Sequence, residues 1–157
     1  MTFEQKAIEL GYKIEPAKQV QGKPLKAIRT GNLVYTSGQL SIKNGVEIKG
    51  KVGKDLTISE GQDAAKHAAL NCLSAIKTVI GSLNNITRIV KILGMVNVER
   101  DFNESSDNDT SKVIDGCSEL LHEIFGETGQ HARSAVGMTL PRDFAVEIEM
   151  IVEIKSL

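Results

Sequence analysis

Apolar residues recur at intervals of three and four over one long stretch of this chain, and alternate or run together over several shorter ones. Ala65, Ala68, Ala69, Cys72, Leu73, Ile76, Val79 and Ile80 form a single helical stripe, with Gly81 placed to end it. Ser59 with Gln62 three residues on has the form of a capping box at its start. A second stripe, Val113, Cys117, Leu120, Leu121 and Ile124, runs up to Gly126. A short first helix follows from Thr2 and Gln5, with Phe3, Ala7 and Leu10 on one side and Gly11 after it. Residues 12–26 hold Pro16 and Pro24 and read as a connector.

The remaining apolar segments have strand character. Ala27-Ile28-Arg29 and Leu33 to Ser37 flank a Thr30-Gly31-Asn32 turn, and Gly38 follows at once. Ile42 to Gly53 is polar and punctuated by glycine, with a second hairpin around Asn44-Gly45. Ile86 to Val98 predicts a long strand with Ile89, Leu93 and Met95 on one face and Val90, Ile92, Val96 and Val98 on the other. Residues 99–111 are acidic and polar, the pattern of a flexible surface loop. Two strands, at about 132–139 and 145–155, end the chain around the turn Leu140-Pro141-Arg142-Asp143.

The order hairpin, helix, strand, helix, hairpin predicts an α+β fold: a single mixed sheet with two helices on one face, plus a short N-terminal helix. One domain over 1–157 is expected, with 1–26 as a helical extension and connector. Two helices cover only one face of a sheet whose long strand is apolar on both. Self-association that buries the other face resolves the conflict.

Composition adds bounds. The chain is 41% hydrophobic and 25% charged, which suits a globular domain with its own core. No segment has the apolar length of a membrane span. Nor does the N-terminus look like a secretory signal. Cys72 and Cys117 both fall in helical stripes and read as buried free thiols, so the expected compartment is a reducing cytoplasm. Residues 1–54 carry ten Lys/Arg against four Asp/Glu. The lysines are scattered and aromatic residues are few, which argues against nucleic acid as a partner.

Strand alternation sorts the candidate chemistry. Val146, Ile148, Met150, Val152 and Ile154 belong against the helices, which leaves Glu147, Glu149, Ile151 and Glu153 on the opposite face. Arg133 is expected to join them, because Val136 and Met138 claim the core side. A guanidinium there can grip a carboxylate through two hydrogen bonds. Alternatively it only neutralises a glutamate across the sheet. His131 precedes that strand and reads as a strand-edge residue able to titrate near neutral pH. His67 and His122 lack ligand spacing, so no metal or other cofactor is expected. Ser37 lacks the surroundings of a nucleophile elbow, and no P-loop or dinucleotide fingerprint occurs.

Several of these segments, in order, resemble the Rid family (reactive intermediate deaminases, YjgF-like, also called the endoribonuclease L-PSP family). Gly31-Asn32-Leu33-Val34-Tyr35-Thr36-Ser37-Gly38-Gln39 is similar to its strand ending in Ser-Gly-Gln. Ala64 to Gly81 is similar to its long helix. Ala132-Arg133-Ser134 and Leu140-Pro141-Arg142-Asp143 with Glu147-Ile148-Glu149 are similar to its C-terminal signature. The resemblance implies a chorismate-mutase-like fold, a homotrimer and clefts between subunits. It also implies hydrolysis of reactive enamines and imines to 2-keto acids and ammonia. Arg133 would hold the substrate carboxylate and Glu149 a water. Ser37, Gly38 and Ser134 would help to form the pocket.

The chain departs from the family at several points. Lys23-Pro24-Leu25-Lys26 stands where deaminases carry a pocket tyrosine in Pro-Tyr-Ser-Gln. Ala135 replaces a common cysteine, and the stretch at 99–118 is long. These departures favour one alternative, a non-catalytic protein that binds or senses a small carboxylate. The resemblance itself implies a second, an endoribonuclease, against which the scattered lysines and scarce aromatics argue.

Overall fold

The computed structural model describes residues 1–105 and 107–157. Helix α1 (Phe3–Glu9) opens the chain and has the capping box read from its sequence: the Thr2 hydroxyl accepts from the Gln5 N–H, and the Gln5 side chain accepts from the Thr2 N–H. Phe3 stacks edge-on against Phe125 at 4.8 Å. Glu4 accepts hydrogen bonds from Lys77, the Ser82 hydroxyl and the Leu83 N–H. Burial works against its charge, but these donors prevail and hold the carboxyl below its ordinary pKa.

Strands β1 (Ala27–Thr30), β2 (Leu33–Thr36) and β3 (Gln39–Leu40) come next, then the small hairpin β4 (Ile42–Lys43) and β5 (Val46–Glu47). Helix α2 (Ile58–Ile80) starts two residues earlier than its stripe suggests. Thr57 and Glu60 form the capping box, not Ser59 and Gln62. β6 (Ile86–Val96), α3 (Thr110–Phe125), β7 (Ala132–Gly137) and β8 (Val146–Ile154) complete the fold. The main sheet runs β1-β2-β8-β6-β7, with β3 also paired to β8. It is mixed: β7 pairs parallel to β6 and the other pairs are antiparallel.

The expected terminal hairpin is therefore absent. β8 lies between β2 and β6, and β7 is an edge strand on the far side of β6. A parallel partner needs a crossover, which α3 supplies. The connection from β7 to β8 turns at residues 141–143, where Arg142 and Asp143 both hold positive φ. Buried Asn97 pins that turn: its amide donates to Asp143 Oδ1 at 2.8 Å, and its oxygen accepts from Lys51.

One sheet face lies under α2 and α3. Val34, Ile89, Ile92, Ile148 and Val152 on it are inaccessible, as are Ala64, Ala65, Ala68 and Ala69 of α2. Short alanine side chains let that helix sit close. The alternation expected on β6 is interrupted by register shifts at Ile86/Arg88 and Ile89/Lys91. Ile86, Ile89 and Ile92 thus all turn inward, while Leu93 and Met95 turn outward with Glu149 and Glu147 as cross-strand partners. The phase of β7 is also opposite to the expectation. Ala135 lies on the helix side, where its carbonyl accepts from Thr110 of α3, Gly137 lies against Val98, and Val136 and Met138 project outward, about two-fifths exposed. Close packing explains the choice: a Cβ on Gly94 would lie 2.5 Å from Ile114, and one on Gly137 would lie 2.8 Å from Val98.

The expected loop at 99–111 is partly packed. Phe102 is buried and closes against Gly53, and Glu99 hydrogen-bonds Val52 through its backbone. Ser106, within that stretch, lies outside the described residues. Cys72 and Cys117 are buried free thiols. Burial pushes the Cys117 thiol up to about 12 and that of Cys72 higher still.

Candidate functional site

The outward sheet face has a gap in its hydrogen-bond ladder. β2 pairs with β8 through Tyr35 opposite Ile151, and β3 resumes at Gln39 opposite Ile148. Between them the chain bends at Ser37-Gly38, which takes the backbone away from the Met150 N–H. A buried side chain replaces the missing bond, and a second braces the neighbouring carbonyl. The Thr36 hydroxyl accepts from the Met150 N–H at 3.0 Å, and the Cys72 thiol donates to the Ile148 carbonyl at 3.2 Å. The bend is also tied to the connector, because the Ser37 hydroxyl donates to the Leu25 carbonyl.

Gly38 makes room for Glu147. A Cβ at Gly38 would fall 2.9 Å from both the Cδ and Oε1 of that carboxylate. Glu147 is half-buried. Burial raises its carboxyl above the usual range, and the neighbouring charge of Glu149 adds to the rise. Glu149 itself is exposed, and it shares a hollow of about 470 Å³ with Tyr35, Lys91, Leu93 and Ser134. Lys91 Nζ reaches the Ser134 hydroxyl at 3.4 Å. Of the residues singled out in the sequence, Gly38, Ser134 and Glu149 are thus gathered around this outward face.

Arg133 is not with them. Its strand phase sends it to the helix side, away from Glu149, with Ala135 and Gly137. Nη1 donates to Asp115 Oδ1 at 2.8 Å and to the Ser118 hydroxyl at 3.1 Å, and Nη2 donates to the Ser111 carbonyl. The neutralising partner is therefore an aspartate on α3, not a glutamate across the sheet. Among the described residues Nε makes no hydrogen bond, so one edge of the guanidinium keeps free N–H donors.

Two residues escaped the sequence reading. Glu147 and Glu149 both alternate outward, and only the approach to Gly38 tells them apart. Asp115 was hidden on a helix whose polar face gave no reason to prefer it. Among the described residues no group of three or more His, Cys, Asp or Glu could hold a metal ion, and no helix is long and apolar enough to cross a membrane.

A family model described as YjgF/chorismate mutase-like, putative endoribonuclease, matches residues 14–144. The chain belongs to this family. Protein TCP17 of Trypanosoma cruzi is 36% identical over 151 residues, covering 94% of this chain and 91% of its own. A crystal structure of a protein of unknown function from Agrobacterium tumefaciens is 38% identical, with a TM-score of 0.85, covering 98% of this chain and 94% of that one. A putative endoribonuclease from Shewanella oneidensis is 29% identical, with a TM-score of 0.87 and coverage of 98% and 100%. The YjgF-like, chorismate-mutase-like α+β fold implied by the sequence motifs is the fold of this protein.

Proposed function

We propose that this YjgF-like protein hydrolyses small enamine or imine carboxylates to a 2-keto acid and ammonia, in clefts formed where copies of the chain meet in a homotrimer. The observation that carries the reading is the carboxylate of Glu147, set against Gly38 with its pKa raised by burial. A base pushed toward neutrality is better matched to taking a proton from water than an ordinary surface glutamate. Its oxygen accepts that proton while the water attacks the imine carbon, and the proton then leaves with ammonia. Glu149, the residue expected in this role, acts one step removed by raising the pKa of Glu147. Gly38 and Ser134 shape the pocket walls, and the Ser37 hydroxyl fixes the bend.

Arg133 binds the substrate carboxylate through its free Nε edge, while Asp115 and Ser118 hold the other side. Within one chain it faces away from Glu147, so the two groups can meet only across a subunit boundary. The outward face favours that boundary, since Ile28, Tyr35, Val136 and Met138 are exposed on it.

The engagement of Arg133 by Asp115 favours a second reading, carboxylate binding without turnover. Freshly generated 2-iminobutanoate separates the two. Deamination by the wild type, lowered about 10²-fold in Glu147→Gln, is expected. No turnover, together with calorimetric binding of 2-ketobutyrate, would select the binding protein. Neither turnover nor binding at millimolar ligand would sink both readings. RNA cleavage by such an inactive preparation would favour the activity in the family description.

A further inference from the structure

A serine in the middle of a helix ordinarily gives its hydrogen to the carbonyl one turn back or to solvent. Ser118, midway along α3, does neither. Its Oγ lies 2.9 Å from Nε2 of His131. The other ring nitrogen, Nδ1, lies 2.6 Å from the Gly129 carbonyl. A carbonyl can only accept, so Nδ1 carries the proton and Nε2 presents a lone pair to Ser118. The hydroxyl therefore donates to His131, while the same oxygen accepts from Arg133 Nη1 at 3.1 Å. Burial keeps the His131 pKa below the ordinary histidine value; the Gly129 carbonyl opposes this and the Arg133 charge supports it. The ring is thus a neutral base near pH 7. These groups open on a groove of about 620 Å³ lined also by His122, Glu123 and Gln130.

We infer that Ser118, His131 and Arg133 form a second reactive centre, a serine nucleophile for short carboxylic esters. Nucleophile, base and a group that orients the base are all within hydrogen-bond reach, the arrangement that activates a hydroxyl. Ser118 Oγ bonds to the ester carbonyl carbon as its proton passes to His131 Nε2. The guanidinium beside Oγ meets the negative charge that forms on the carbonyl oxygen. Collapse breaks the bond to the alkoxide, which takes the proton from His131. Water, deprotonated by the same nitrogen, then releases the acid and restores the serine. The balance is ester plus water to acid plus alcohol, with no further reactant. The centre goes beyond the deaminase reading: it shares Arg133 with that reading but does not use Glu147.

Diisopropyl fluorophosphate, a probe of activated serines, tests it on the wild-type chain. Intact mass and peptide mapping should show one adduct, at Ser118. Ser118→Ala should abolish it, and His131→Gln should slow it by about 10²-fold. Hydrolysis of p-nitrophenyl acetate should fall in parallel. A hydrogen bond that merely fastens Arg133 to α3 predicts otherwise: no adduct at millimolar probe and no ester hydrolysis above background, with Ser118→Ala lowering the melting temperature. That result, or labelling unaffected by His131→Gln, would overturn the proposal.

Discussion

The two faces of the sheet solve different problems with the same strands. Ile92 and Leu93 are neighbours on β6, yet Ile92 is sealed beneath the helices and Leu93 lies beside Glu149 on the outward face. Under the helices nearly every position is apolar, Thr36 and Arg133 being exceptions, and small residues set the distance of approach. On the outward face, apolar side chains lie beside carboxylates, of which Glu147 is half-buried and Glu149 exposed. The covered face gains stability from close packing. The outward face keeps charges where apolar contact would otherwise be complete, which is costly unless those charges serve a purpose.

The contrast is sharpest in paired truncations. Ile92→Ala should cost about 2–5 kcal/mol in denaturant unfolding, the range for deleting a sealed aliphatic side chain. Leu93→Ala should cost under about 1.5 kcal/mol in the dissociated chain. Equal losses would dissolve the distinction between the faces. Thr36→Val tests the seam between them, because it leaves the Met150 N–H buried without its acceptor. A loss of about 1–3 kcal/mol is expected, and none would mean that the ladder gap needs no substitute. Val136→Glu should leave the unfolding of the dissociated chain nearly unchanged but weaken self-association by about tenfold or more, measured by sedimentation equilibrium. Unaltered association would place the contact elsewhere.

The smallest effect is electrostatic. The folded-state pKa of Glu147 is raised, so its ionisation opposes folding: its contribution is favourable below the unfolded pKa and is lost as pH rises through the folded one. Glu147→Gln should therefore melt above the wild type at neutral pH, and the difference should close on acidification. A difference that stays constant with pH would mean that packing, not charge, separates the two proteins.

The elements that could be read from the sequence were those whose signals are local. The stripe of α2, the Thr2–Gln5 box and the bend after Ser37 need only near neighbours. The features that could not were set by distant partners. Bulges on β6 turned Ile86, Ile89 and Ile92 to one side, which strict alternation does not allow. Val136 and Met138 looked like core residues on hydrophobicity alone. They face outward because the other side of β7 leaves no room at Gly137, where Val98 lies against the backbone. Placing β7 beside β8 rested on the short turn between them, although apolar strands pair with whichever neighbour completes the sheet. The error over Arg133 follows from that phase. The Ser118–His131 pair left no sequence signal, since its members are joined only by the return of the chain after α3.

β7 also has a signature in exchange. It is an edge strand, held by one parallel partner to which α3 makes the crossover. Edge strands open at lower free energy than central ones. The amides of β7 should therefore exchange with deuterium well before those of β6 or β8. Arg133 sits on this edge strand while Glu147 and Glu149 sit on central β8, so local opening should release the guanidinium while both carboxylates stay in place.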